Sequence, residues 1–152
     1  MKNHLKLNHT VLLTVVICLL GCKSKDAKIA ETLDGGYVLN KIEHKGTDIT
    51  PEVIAAILSF NDFKFKPPII SSKVGKRDKY DWKPIEEKNE IKIKFNTENQ
   101  IFKDIFKISF KIDDSSEQIH LYMKSQSTHI SATRVFLLDD FEVVKRKLIL
   151  LN

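Results

Sequence analysis

Glu90–Lys124, EIKIKFNTENQIFKDIFKISFKIDDSSEQIHLYMK, is the stretch that decides the fold. Ile91, Ile93 and Phe95 alternate with Lys92 and Lys94. Phe106, Ile108, Phe110 and Ile112 alternate with Lys107, Ser109 and Lys111, and Ile119, Leu121 and Met123 with His120, Tyr122 and Lys124. Side chains of a strand point alternately to opposite faces, so a period of two with one apolar and one charged face marks antiparallel strands covered on a single side. Asn96-Thr97-Glu98-Asn99 and Asp113-Asp114-Ser115-Ser116 supply the turns between them.

Working outward from this stretch, strand patterns lie near 36–44, 59–66, 69–73, 79–83, 90–95, 104–112, 118–125 and 129–138. One helix is expected after the first strand. Thr50-Pro51-Glu52 offers a capping hydroxyl, a proline suited to the first helical position and an early acid, and Val53, Ile54, Ile57 and Leu58 then form one apolar face. That helix should stop near Ser59, where the alternation of Phe60, Phe63 and Phe65 begins. Val143–Leu151 is too apolar to hang in water. It reads as a closing strand, with a packed helix or a docking surface for a partner as the alternatives. Short antiparallel strands joined by tight turns point to a closed barrel or a sandwich, and closure removes exposed sheet edges. Lysines at every second outward position suit water and not the hydrocarbon that surrounds an outer-membrane barrel.

The N-terminus carries an address. Lys2 and Lys6 precede the apolar run Val11–Leu20, whose ten residues as a helix reach about 15 Å, half of what a membrane span requires. Leu19-Leu20-Gly21-Cys22 ends the run and resembles the lipobox of bacterial lipoproteins. The resemblance implies a signal peptide over 1–21, cleavage between Gly21 and Cys22, and acylation of Cys22. The alternatives are an ordinary signal peptide cut nearby or a buried cysteine in a short apolar helix. On the lipoprotein reading Cys18 leaves with the signal and Cys22 carries lipid, so no thiol remains for disulfides, metal or nucleophilic catalysis. Lys23 follows the cysteine where an aspartate would favour inner-membrane retention, so a lipid-anchored place in the bacterial cell envelope, at the outer membrane where there is one, is expected. Residues 22–34 read as a polar tether, although Ile29 and Leu33 are spaced for one short helix. Residues 35–152 are left for one domain. The formal net charge of +5 falls by two when Lys2 and Lys6 are removed, too small an excess to argue for nucleic acid.

Gly36-Tyr37-Val38-Leu39-Asn40-Lys41-Ile42-Glu43-His44-Lys45-Gly46, followed by Asp48-Ile49-Thr50-Pro51 and Leu58-Ser59-Phe60, resembles the opening of bacterial lipocalin-like lipoprotein domains. Ile130–Val135 resembles their late strand, which brings an arginine to the first-strand aromatic. The resemblance covers about residues 35–138. It implies an all-β, antiparallel, up-and-down eight-stranded barrel with one short helix after the first strand. Tyr37 stands where lipocalins usually have tryptophan. Paired with Arg134, it reads as a structural cation–π contact at a closed barrel end, with a surface arginine on an alternating strand as the alternative.

Motifs for chemistry are sparse. His44, His120 and His129 show no metal-ligand spacing, and each reads as a surface histidine. Asp113, Asp114 and Glu117 lack the oxygen order of a calcium loop, and Asp139, Asp140 and Glu142 lack a partner base. No phosphate loop, nucleophile elbow or dinucleotide fingerprint occurs. Neither an enzyme nor a cofactor or metal is expected. Lys73–Lys79 reads as a solvated basic loop, with contact to anionic head groups as its functional alternative. Tyr80 and Trp82 share one strand face and read as core. The expected function is membrane-anchored binding of a small apolar or amphipathic ligand inside the barrel, a reading that an interior apolar pocket of a few hundred Å³ supports and a solid core sinks. A protein-interaction or inhibitor module with a filled core is the alternative, since Phe60, Phe63, Phe65, Phe95, Phe106 and Phe110 are bulky enough to fill an eight-stranded interior.

Overall fold

The alternating segments form the strands of a closed barrel. In the computed structural model, which describes residues 24–71, 79–87, 90–136 and 140–150, the chain begins with helix α1 (Lys25–Leu33) and strand β1 (Gly35–His44). Strand β2 (Thr47–Asp48), a 3₁₀ turn at Thr50–Glu52, β3 (Val53–Ala55), β4 (Ile57–Asn61), β5 (Lys64–Lys66) and β6 (Ile69–Ile70) follow. The long strands come next: β7 (Tyr80–Glu87), β8 (Glu90–Asn96), β9 (Ile105–Asp113), β10 (Gln118–Lys124) and β11 (Thr128–Arg134). Helix α2 (Phe141–Ile149) comes last.

The ring runs β1-β4-β5-β7-β8-β9-β10-β11 and closes by pairing β11 with β1. Each neighbour is antiparallel, with Tyr37 opposite Arg134 and His44 opposite Thr128 at the closure. This is an up-and-down eight-stranded barrel of lipocalin-like form. β2 folds back on β1 across Lys45-Gly46, both at positive φ (52° and 77°), the geometry of a two-residue hairpin turn that glycine accommodates. β3 and β6 pair with each other outside the ring.

Four expectations are corrected. The short helix after the first strand lasts one 3₁₀ turn, and Val53–Leu58 is extended instead of helical. Leu58 pairs with Tyr37 and Ile57 with Val38, so the backbone bonds of β1 are satisfied by this segment, and tertiary pairing overrides the local start signal. The strand expected over 59–66 is a hairpin, β4 and β5, turning at Asp62-Phe63 with Asp62 at φ 50°. The strand expected over 69–73 is described only at Ile69–Ile70 and lies outside the barrel. Residues 141–149 form helix α2 and not a closing strand. Phe141, Val144 and Leu148 recur at helical spacing and are buried, while the central basic residues turn outward or along the edges.

The interior of the ring is aromatic. Tyr37, Phe60, Phe65, Phe95, Phe102 and Phe106 are each buried, with Phe65 and Phe95 centroids 4.5 Å apart and Phe60 5.8 Å from Trp82. Phe63 is the exception among the expected core rings, being 41% exposed at the β4–β5 turn. Ile101 and Phe102, on the β8–β9 connection, plug the end of the barrel that also holds His44 and Thr128. The opposite end is closed by α1. Residues 25–33, expected within the tether, are helical, capped by the Ser24 hydroxyl, with Ile29, Ala30 and Leu33 buried in the core. The packed unit therefore begins at Lys25 rather than at Gly35. α2 covers the same end beside α1, burying Ile119 and packing on Phe110 and Ile112.

Candidate functional site

The helix-capped end is built around Arg134. Its Nη1 donates to the Thr32 carbonyl at 2.9 Å and to the Tyr37 hydroxyl at 3.0 Å, and its Nη2 donates to the Asp34 carbonyl. Tyr37 in turn donates to the Leu33 carbonyl at 2.8 Å. The last carbonyls of α1, which have no partners within the helix, are thus held by two side chains of the barrel wall. Cζ of Arg134 lies 5.4 Å from the Tyr37 centroid and 5.9 Å from that of Phe136. The guanidinium meets Tyr37 through its hydroxyl as well as its ring, so hydrogen bonds and cation–π attraction act together. Burial pushes the Tyr37 phenol up to about 12, with the Arg134 charge and hydrogen bond opposing the shift. Gly35, at φ 137°, leaves room for the guanidinium: a Cβ there would stand 2.9 Å from Nη2.

Beside this lock, between α1, α2 and strands β8 and β9, lies a cleft of about 370 Å³. It exists because β9 runs on through Ser109–Asp113 past the last β8 residue paired with it, Ile91, so the wall is incomplete there and the helices cover it only in part. Its lining includes Ile29 from α1, Ile91, Ile108, Phe110 and Ile112 from the strands, and Leu148 and Ile149 from α2. Lys25, Glu90 and Lys107 stand among them as charged groups. Glu90 accepts from Lys107 at 2.5 Å and approaches Lys92 at 3.3 Å, and these ammonium groups hold its carboxyl below the usual range. An apolar floor with a few charges at its margin suits a small amphiphile. The sequence signals for this site were the Ile29/Leu33 spacing and the 141/144/148 spacing, neither of which says that the two helices meet. Lys147 and Glu31 join them at 2.9 Å.

A more open depression of about 400 Å³ is lined by Asp81, Trp82, Lys83, Lys94, Phe95 and Asn96. Asp81, Lys83, Lys94 and Asn96 are exposed on the outer wall of β7 and β8, while Trp82 and Phe95 belong to the core. Tyr80 and Trp82 both point inward, and Asn99 donates to the Tyr80 hydroxyl at 3.1 Å. Trp82 and Phe95 give the depression an aromatic contribution, but it lies open on the outer wall and encloses a ligand less than the cleft does.

The remaining polar groups act in turns. Asp113 accepts from the Ser115 amide at 3.0 Å and hydroxyl at 2.6 Å, bonds that bring its carboxyl to about 2. Asp114 pairs with Lys145 at 2.5 Å and so ties the β9–β10 turn to α2. Asp140 is the residue before α2, and Glu142 lies in its first turn. At the far end Asp104 accepts from the hydroxyls of Ser127 (2.6 Å) and Ser125 (3.0 Å), which lower its pKa, and His44 meets Thr128 at 2.8 Å. His120 contacts Thr133 at 3.0 Å, and His129 is exposed. Among the described residues no three His, Cys, Asp or Glu side chains gather as a metal site.

The signal peptide expected over 1–21, Gly21 and Cys22 with the cleavage and acylation expected there, residues 73–78 of the basic segment Lys73–Lys79, Asp139 and Leu151 lie outside the described residues. Among the described residues no helix is long and apolar enough to cross a membrane. Compared with known proteins, the chain matches no family model, no curated protein and no solved structure.

Proposed function

We propose that this chain is a bacterial lipoprotein, anchored to the cell envelope through lipid on Cys22, whose lipocalin-like barrel holds a small apolar or amphipathic ligand in the cleft between its two helices. The outer membrane is the favoured site of attachment where the cell has one. The observation that carries the ligand reading is the cleft itself: about 370 Å³, floored by Ile29, Ile91, Ile108 and Phe110 and edged by Lys25, Glu90 and Lys107. That volume lies within the range of small-molecule sites, and its mixed lining matches a molecule with an apolar body and a polar head. No group here is assigned catalytic work, and the proposal needs neither cofactor nor metal.

The test is native mass spectrometry of the protein extracted from its own cells in mild detergent. A retained small molecule, absent from an Ile91→Trp variant that fills the cleft, is the expected result. A protein that carries only its covalent lipid, and takes up no fluorescent amphiphile, refutes the ligand reading. In the same spectra, a Cys22→Ala variant should lose the acyl mass, and cell fractionation should show it released from the membrane.

A second reading is favoured by one observation. The middle of the barrel is filled by Phe60, Phe65, Phe95, Phe102 and Phe106 in mutual ring contact. A barrel with a solid middle can serve as a scaffold for a protein-interaction or inhibitor module. A protein partner in the native spectra, in place of a small molecule, would select it.

A further inference from the structure

We infer that the helix-capped end of the barrel is the face that lies against the bilayer, and that the outward side of α2 enters the head-group region. The inference rests on the lipid anchor proposed above and adds an orientation that the anchor alone does not give. Cys22 stands three residues before Lys25, the first residue of α1. At about 3.5 Å per extended residue, that span reaches only about 10 Å. α1 is not spare tether, because Ile29, Ala30 and Leu33 are buried and its last carbonyls are held by Arg134. A lipid on Cys22 therefore keeps this end of the barrel within about a helix diameter of the membrane surface.

The surface at this end is suited to such contact. On the solvent-exposed surface of α2 and the residue after it, Val143 is 52% exposed, Ile149, at the cleft's edge, 60%, and Leu150 86%, with exposed Arg146 between them. Phe63 on the β4–β5 turn and Val135, whose amide bonds Gly36, are exposed at the same end. α2 is thus apolar on two sides. Phe141, Val144 and Leu148 face the barrel, Val143 and Leu150 face away from it, and the half-exposed Ile149 lies on the flank that borders the cleft. A short helix with exposed apolar residues beside basic ones lies favourably in a membrane interface, with the cations at the phosphates. The fixed geometry also sets the cleft at that surface, since Ile149 and Lys25 line it.

The experiment uses the mature lipidated protein in vesicles of phosphatidylethanolamine and phosphatidylglycerol. Single cysteines replace Ile149, Leu150 or, at the opposite end, Gln126, and each carries a nitroxide. Cys22, once acylated, offers no competing thiol. All three residues are exposed, so the barrel should fold normally, which circular dichroism checks. The labels at 149 and 150 should show an oxygen-to-nickel accessibility ratio about tenfold above that at 126, where both reagents meet an aqueous label. Equal, water-like ratios at all three positions on acylated protein overturn the orientation while leaving the anchor intact. Spin–spin broadening between labels at 149 assigns the face to a second copy of the chain and overturns it as well. Intact mass without acyl groups sinks the anchor reading, and the orientation falls with it.

Discussion

Replacing Arg134 with alanine tests how the barrel holds its terminal helix. The guanidinium makes three hydrogen bonds: to the carbonyls of Thr32 and Asp34 and to the hydroxyl of Tyr37. A hydrogen bond involving a charged group contributes about 1.5–3 kcal/mol, but solvent near the exposed Asp34 carbonyl offers a replacement once the arginine is gone. Cation–π contact with Tyr37 and Phe136 adds about 0.5–1 kcal/mol. A loss of about 3 kcal/mol is expected. The apolar part of the α1 docking survives, since burial of Ile29 and Leu33 contributes about 1.5–3 kcal/mol each. The variant should therefore stay folded, with an unchanged urea m-value and a melting temperature lower by about 10 °C for a domain of about 130 residues. Arg134→Lys should lose nearly as much, because the three donors of an ammonium sit on one tetrahedral nitrogen and cannot reproduce the planar fork by which Nη1 and Nη2 reach these acceptors. Hydrogen exchange should quicken first at the α1 amides. A urea midpoint within about 0.5 kcal/mol of the parent, with α1 amides equally protected, would refute the reasoning.

Tyr37→Phe removes the donor to Leu33 and an acceptor for Arg134, and should cost about 1–2 kcal/mol at neutral pH. In the parent the phenol stays neutral to about pH 12 when folded, while the unfolded chain ionises near 10. The stability tied to that hydroxyl is full below pH 10 and is lost between 10 and 12, by up to about 2–3 kcal/mol, so urea midpoints across that range should fall more steeply for the parent than for the variant. Trp82 is 3% exposed, and its Nε1 has no hydrogen-bond partner among the described residues. Trp82→Phe should therefore lie within about 1 kcal/mol of the parent by urea denaturation, whereas Phe95→Ala should cost about 3–5 kcal/mol. Gly35→Ala meets both an unfavourable φ of 137° and the Arg134 guanidinium, and should cost more than about 1 kcal/mol. Combined with Arg134→Ala it should cost less than the two single changes together, which a double-mutant cycle by thermal melting would measure.

The strands from Glu90 to Arg134 were legible because each pairs with its neighbour in sequence and buries alternate side chains, so local pattern and tertiary environment agree. The region from 47 to 70 was not. Val53, Ile54, Ile57 and Leu58 fit a helical face and an extended strand equally well, and the backbone groups of β1 decided for the strand. The expected number of barrel strands survived because two errors offset each other: residues 59–66 split into β4 and β5, while residues near 69 left the ring for an external pair with β3. Arg134 and Tyr37 were legible as a pair, through the resemblance to lipocalin-like domains. Their main acceptors were not, because the carbonyls of Thr32 and Asp34 carry no side-chain signature.

By itself, the sequence determined the alternating strands and their lysine-studded outer face, because those follow from side-chain period; the choice of a closed barrel over a sandwich came from the resemblance at residues 35–138, and the lipobox at Cys22 is a resemblance of its own. Tertiary structure decided that residues 25–33 and 141–149 are helices on the same end of the barrel, and that a cleft opens between them. The physical reason is contact between segments more than a hundred residues apart. Ile29 and Leu148 complete one apolar surface, and Lys147 reaches Glu31, only after the ring of strands has closed.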